Sequence, residues 1–314
     1  MTKTLAVLGA TGHQGGSVIN NLLADPELSH QYSIRAITRN TASSKAVALS
    51  KQRVEVVQAN TNDPTSLARA FSGADYLFLV TTPALGPDAM ATEMATIKSI
   101  ADTAVASGVQ YIIFSTLPNY SAISGGKYTA VTPFDAKALG EEYIRSLPVK
   151  SAFWCGGYFM ENWHEQPFLL PKPSARDDGS YVMQRNVPGT VRIPYVAATE
   201  DCGKSVNAIL AEPEKYAGEV FHAAVATYSL EELAAILSKA TGKTVRYEQV
   251  SDEEFSEQVP MWQEVFVQIY KFKEGFGGYF GPGTEEKVQW AKERVRGRLT
   301  TLEEYLEAYP VVSQ

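Results

Sequence analysis

A chain of 314 residues has room for one large α/β domain with an appended lobe, or for two domains, and 45% apolar with 20% charged residues describes an ordinary globular protein. The formal charge is 28 − 35 = −7 with lysines and arginines dispersed, which argues against direct nucleic-acid binding, because a phosphate backbone asks for a basic stripe. No apolar run approaches the length of a membrane span, and Cys155 and Cys202 lack the spacing of a disulfide framework or a metal site, so no metal is expected.

The sequence opens directly into a strand pattern without a charged, hydrophobic leader, and a cytoplasmic or nuclear location is expected. Thr4 to Leu8 has strand length. It runs into Gly9-Ala10-Thr11-Gly12-His13-Gln14-Gly15-Gly16, and from Ser17 to Leu23 the apolar residues fall on one helical face. Strand, glycine loop and helix in that order, with Gly9, Gly12 and Gly15 spaced G-x-x-G-x-x-G, match a relative of the dinucleotide fingerprint. The helix start supplies free N–H groups and partial positive charge for a phosphate.

Tyr32 to Thr38 reads as the second strand, followed by Arg39, Asn40 and, shortly after, Lys45. An acid at this point would bond the ribose 2′-OH of NAD(H), whereas an arginine accommodates the 2′-phosphate of NADP(H), so NADP(H) is the expected cofactor. Val54 to Ala59 is the third strand and ends in Asn60-Thr61-Asn62. The nearly all-apolar Tyr76 to Val80 is the fourth, as suits a parallel strand covered on both faces, and delivers Thr81-Thr82-Pro83 to the carboxyl edge where ligands sit. Asn60, Thr81 and Thr82 are therefore expected at the cofactor.

A helix is predicted from about Asp88 to Ser107, a fifth strand at Tyr111 to Phe114, and a loop over the cofactor site at 117–132. Another helix spans Pro133 to Leu147, and a sixth strand Val149 to Trp154. This alternation gives a doubly wound parallel sheet. Past Gly157 the pattern is irregular, with helices at Asp201 to Leu210, Leu230 to Thr241 and Leu302 to Tyr309, and strands at Val220 to Ala223 and Val245 to Val250. The reading is a dinucleotide domain over 1–156, with 201–224 packing back onto it, and a smaller α/β lobe over 157–314 whose aromatic-rich 266–283 stretch lines a pocket or fills a core.

Short-chain dehydrogenases place Tyr-x-x-x-Lys on the helix after the fifth strand. Lys137 lies on that helix, but Pro133 stands where the tyrosine would be, and Tyr128 falls in the loop. Lys137 is the one catalytic candidate; the plain alternative is an exposed lysine paired at i,i+4 with Glu141. His13 reads as a spacer, and His164 and His222 have no partner at recognisable spacing.

The segments L-G-A-T-G-H-Q-G-G-S-V (8–18), I-T-R-N (37–40), P-F-D-A-K-A-L-G-E-E-Y-I-R (133–145), G-Y-F-M-E-N (157–162) and P-E-K-Y-A-G (213–218) together resemble the NmrA-like family of atypical short-chain dehydrogenases. The resemblance implies a Rossmann domain with a small α/β lobe. It implies NADP(H) bound by Gly9, Thr11, Gly12, Gln14, Gly15 and Arg39, a ribose or nicotinamide contact from Lys137, and approach of the 157–162 segment, with Tyr158 and Asn162, to the nicotinamide. Some family members are regulators that change protein contacts with dinucleotide redox state; isoflavone-reductase-like relatives reduce small molecules with a lysine at the place of Lys137. Because the tyrosine is missing, the first expectation is a redox-sensing, transcription-linked regulator acting through protein partners. The alternative is an NADPH-dependent oxidoreductase acting on a small organic substrate, and a scaffold that binds no nucleotide comes third.

Overall fold

The computed structural model describes residues 2–84, 86, 88–176 and 178–311. From the N-terminus the elements are β1 (Lys3–Val7), α1 (His13–Ala24), α2 (Leu28–Gln31), β2 (Tyr32–Thr38), α3 (Ser44–Ser50), β3 (Glu55–Gln58), α4 (Pro64–Phe71), β4 (Tyr76–Leu79), α5 (Ala89–Ala106) and β5 (Tyr111–Thr116). Next come α6 (Tyr120–Ile123), α7 (Thr132–Ser146), β6 (Lys150–Gly156), β7 (Tyr158–Phe159), α8 (Asn162–Glu165), β8 (Lys172–Pro173), β9 (Tyr181–Arg185), β10 (Arg192–Val196) and α9 (Ala198–Ala211). The chain continues through β11 (Val220–Ala223), β12 (Ala226–Ser229), α10 (Leu230–Thr241), β13 (Val245–Gln249), α11 (Asp252–Glu257), α12 (Gln263–Gly275), α13 (Thr284–Lys292) and α14 (Leu302–Ala308).

Seven strands form one sheet in the order β11-β6-β5-β4-β1-β2-β3, with every pairing parallel. The fold is therefore the expected Rossmann-type doubly wound sheet. β4 and β5 are buried along their whole length, consistent with the apolar runs at 76–79 and 111–114. One core layer places Val18, Ile19 and Leu22 of α1 and Val206 and Ile209 of α9 against one face of the sheet. The opposite layer packs α4, α5 and α7 through Leu67, Ile97, Ile100 and Ile144. Two small three-stranded sheets, β12-β10-β7 and β13-β9-β8, share a third core with α10, α12 and α14. α10, α11 and α14 each start at a reciprocal capping box, Ser229 with Glu232, Ser251 with Glu254 and Thr301 with Glu304, which satisfies backbone donors that a helix start leaves open.

The structure corrects several expectations. The 117–132 segment contains α6, started by Asn119 Oδ1 accepting from the Ala122 N–H, and Tyr120 is fully buried in a stack on Phe272 with ring centroids 3.6 Å apart. It is partly helical where a loop was expected, and it is anchored to α12 by that stack. The irregular stretch after Gly157 holds β7 to β10, whose short, proline-interrupted runs conceal their period. The helix expected from Asp201 starts at Ala198, and the 266–283 stretch is the greater part of α12 followed by a glycine-rich turn.

Candidate functional site

The glycine loop joins β1 to α1 at the carboxyl edge of the large sheet. Gly9 has φ +63, in the left-handed region that favours glycine, and a Cβ there would lie 2.8 Å from Val80 Cγ1. At Gly15 a Cβ would lie 2.4 Å from the Gly9 carbonyl oxygen, so the first turn of α1 seats directly on the loop. Gly12 caps α1 without a side chain, and the first turn carries no acid, which leaves the positive end of the helix open.

A groove of ≈ 450 Å³ runs from this loop past the ends of β2, β3 and β4, lined among others by Gly9, Thr11, Gly12, Arg39, Thr81 and Thr82. The Arg39 side chain has no ion-pair or hydrogen-bond partner among the described residues, and Lys45 Nζ donates to the Thr11 carbonyl at 3.3 Å. Seven sequence candidates lie outside the groove lining: Gln14, Lys137, Tyr158 and Asn162 line the adjoining cavity, and Gly15, Asn40 and Asn60 line neither. Gly15 is beneath the loop, while Asn40 and Asn60 spend their side-chain oxygens on the Ala42 and Asn62 N–H groups, each at 3.0 Å. Thr61 and Asn62 line the groove where Asn60 was expected.

At Thr81 the groove meets a cavity of ≈ 280 Å³ that also takes in Gln14, Lys137, Tyr158 and Asn162. Its remaining wall is largely aromatic: Phe134, Trp154, Phe159, Trp262, Phe266 and Tyr279. Gly156 and Gly157 sit where a Cβ would meet the Trp154 ring at 2.5 Å and the Pro194 carbonyl oxygen at 2.6 Å, which sets β7 tightly against its neighbours. The buried Gln14 Oε1 has no hydrogen-bond partner among the described residues. Such an orphan acceptor is costly unless a ligand donor satisfies it. Tyr158 donates its hydroxyl to Gln166 Oε1 at 2.9 Å, and burial holds both the Tyr158 and Tyr279 phenols protonated well past their ordinary range.

Lys137 is neither exposed nor paired with Glu141, which instead binds Arg145 at 2.6 Å. Its ammonium donates to Glu93 Oε1 at 2.6 Å, to Thr81 Oγ1 at 2.8 Å and to the Thr81 carbonyl at 3.0 Å. Burial pushes the Lys137 amine below its ordinary range, and the Glu93 carboxylate acts in the opposite direction. α5 and α7 approach closely because Gly140 has no side chain; a Cβ there would lie 2.7 Å from Ile97. Glu93 escaped the sequence reading, although a carboxylate on the same helical stripe as Ile97 and Ile100 marks a buried charge in need of a cation. His13 is more than a spacer: its ring bridges Thr199 Oγ1 at 2.7 Å and Glu165 Oε1 at 2.6 Å, tying the glycine loop to α8 and α9. Among the described residues no cluster of His, Cys, Asp and Glu could hold a metal, and no helix is long and apolar enough to cross a membrane.

The model of the NmrA-like family matches residues 1–306. The chain belongs to this family. The NmrA-like chain is 31% identical over 306 residues to the NmrA-like family domain-containing oxidoreductase FrzB of Cladobotryum sp, covering 91% of this chain and 88% of that one. It is 32% identical over 300 residues to the oxidoreductase cpsB of Aspergillus campestris, covering 89% and 86%. Among solved structures it resembles NmrA, a negative transcriptional regulator, in complex with NAD, with a TM-score of 0.78 at 24% identity over 98% of this chain and 95% of that one. The Citrobacter sp. triphenylmethane reductase complexed with NADP(H) gives a TM-score of 0.75 at 24% identity over 97% and 99%. These likenesses show the same fold.

Proposed function

We propose that this NmrA-like protein binds a nicotinamide dinucleotide, NADP(H) by preference, and uses it to reduce a small, uncharged, planar aromatic compound. The observation that carries the proposal is the aromatic cavity, lined by Lys137, that joins the glycine-loop groove at Thr81. The residues fit the cofactor: the loop around Gly9, Thr11 and Gly12 offers an open helix end for the pyrophosphate, and the unpaired Arg39 suits a 2′-phosphate. Gln14 Oε1 awaits a donor, and Thr81, Thr82, Lys137, Tyr158 and Asn162 would border the ribose and nicotinamide. When bound, the cofactor would supply hydride.

The chain supplies the rest. The aromatic wall excludes water and stacks a flat substrate, and among the described residues Lys137 is the only side chain lining the cavity that can carry a charge at neutral pH, so a charged substrate would find little compensation. A largely apolar cavity at the end of the groove suits a small substrate, which a reductase needs and a protein that only reports dinucleotide redox state does not. It therefore ranks the oxidoreductase reading above the regulator reading that the missing tyrosine favours. The test is NADPH consumption with a panel of aromatic carbonyl, quinone, enone and imine compounds, beside capture of partners from cell extract with and without NADPH. Turnover with any of the panel supports the reductase; no turnover together with NADPH-dependent capture of a defined partner overturns it in favour of the regulator.

A further inference from the structure

Two buried ionisable side chains of opposite charge stand at the seam between groove and cavity, Glu93 at 3% and Lys137 at 6% exposure. A lysine ammonium has three N–H donors, and here each is engaged, two on Thr81 and one on Glu93 Oε1. The same carboxylate oxygen accepts the Thr81 hydroxyl at 2.7 Å, which closes a three-membered cluster. Thr81 belongs to both the groove and the cavity wall, whereas Glu93 belongs to neither and reaches the site only through its two partners. An acceptor brought along the groove to Lys137 must displace a Thr81 bond, the weaker pair of contacts, and leave the ion pair standing.

The other ionisable groups near Lys137 are spent or neutral. Asp135 takes the Ser121 hydroxyl and N–H, and Glu141 pairs with Arg145. Tyr158 and Tyr279, across the cavity, keep their protons. Glu93 is thus the carboxylate that offsets the burial of the ammonium.

We infer that Glu93 is the positioning residue of the dinucleotide site: it keeps Lys137 charged and aimed along the seam while Lys137 trades a Thr81 bond for a ribose hydroxyl of the entering dinucleotide. The inference rests on the dinucleotide-binding half of the proposed function and not on turnover. Binding that uses the ammonium is strong below the pKa of Lys137 and fades as pH rises through it. Without Glu93, burial acts unopposed, and that fade moves to lower pH.

The experiment is calorimetric titration with NADP+ between about pH 6 and pH 9, a range that brackets neutral and lies below the ordinary lysine value of about 10.4. Glu93→Gln is expected to bind NADP+ about tenfold more weakly than wild type at the alkaline end and to recover to within about threefold at the acid end. If that variant fails to fold, Glu93→Gln/Lys137→Met, which leaves no buried charge unpaired, replaces it and should bind weakly with no pH dependence above about pH 7, where the 2′-phosphate of NADP+ no longer titrates. Affinity unchanged by Glu93→Gln, a loss equal at every pH, or a double variant that keeps the wild-type pH dependence would overturn the inference. Wild type that fails to bind NADP+ would overturn both this and the proposed function, whereas wild type that binds but reduces nothing would remove the reductase reading alone.

Discussion

Adjacent glycines at the start of α1 should respond in opposite directions to the same added methyl group. At Gly15 the new Cβ would meet Gly9 O at 2.4 Å, Gly9 C at 2.7 Å and Ala10 Cα at 3.0 Å, all backbone atoms of a loop that is itself fixed by the Ala10 N–H on Ile37 O. Overpacking against such a wall costs about 3 kcal/mol, the upper part of the usual range, while alanine returns about 1 kcal/mol in helix propensity. Gly15→Ala should therefore lose about 2 kcal/mol, a fall of about 3 °C in Tm for a chain of this size. At Gly16 the nearest atom to a new Cβ is Ala10 O at 3.7 Å, an ordinary contact, so only the propensity gain remains and Gly16→Ala should gain up to about 1 kcal/mol. Urea and thermal unfolding of the two variants beside wild type measure both. Equal shifts of the same sign, or a Gly15→Ala protein as stable as wild type, would refute the claim that helix and loop are in backbone contact.

Arg39→Asp should reverse a tenfold to hundredfold preference for NADP(H) over NAD(H), since a charge-assisted bond to the 2′-phosphate contributes about 1.5–3 kcal/mol; equal wild-type affinity for the two dinucleotides would return Arg39 to an ordinary loop arginine. His222 on β11 is held to a pKa of about 4 by burial, with Lys287 acting in the same direction, against an ordinary 6.5. The unfolded chain therefore binds the extra proton first, and stability that is complete above about pH 6.5 is lost as pH falls toward 4, by at most about 3 kcal/mol. His222→Gln should flatten that acid limb in pH-dependent unfolding, and identical slopes for the two proteins would exclude His222 as its source. Trp262 holds a left-handed backbone at φ 56 while 42% exposed. Trp262→Asn should gain up to about 1 kcal/mol in stability and weaken binding of an aromatic probe such as phenanthrenequinone; unchanged probe affinity would mean that the indole does not wall the cavity.

The half of the fold that binds along the sheet edge was legible because parallel strands buried on both faces read as apolar runs, as in Tyr76–Leu79 and over 111–114 of Tyr111–Thr116. Gly9, Thr11, Gly12, Arg39, Thr81 and Thr82 line one groove for the same reason: each stands at the carboxyl end of a strand or on the loop that follows. Asn40 and Asn60 also stand there, but short amides bond their own turns, a competition that spacing does not reveal. β9 and β10 were obscured by length and by proline; five residues cover little more than two periods of alternation. The partner of Lys137 was missed because helical spacing points to Glu141, whereas Lys137, Gly140 and Ile144 lie on the stripe that faces α5. Contact between helices far apart in sequence is decided by packing, and the hints are Gly140 on α7 and the apolar stripe that carries Glu93 on α5.

The route of the chain between the sheets has its own consequence. It quits the large sheet after Gly156, builds β7 to β10, comes back with α9 along α1 and with β11 beside β6, departs again for β12 and α10 to α12, lays α13 on β11, and returns α14 to the smaller core beside α10. The cavity is thus enclosed by a double splice instead of a terminal appendage. Cutting the gene at residue 156 would strip β11 from its edge and bare β6, a long apolar strand with open hydrogen-bonding groups that invites aggregation. Transplanting the pocket to another Rossmann scaffold would require two insertions threaded in register, with the returning strand kept as the seam, and shuffling at a single crossover would join walls that were never packed together.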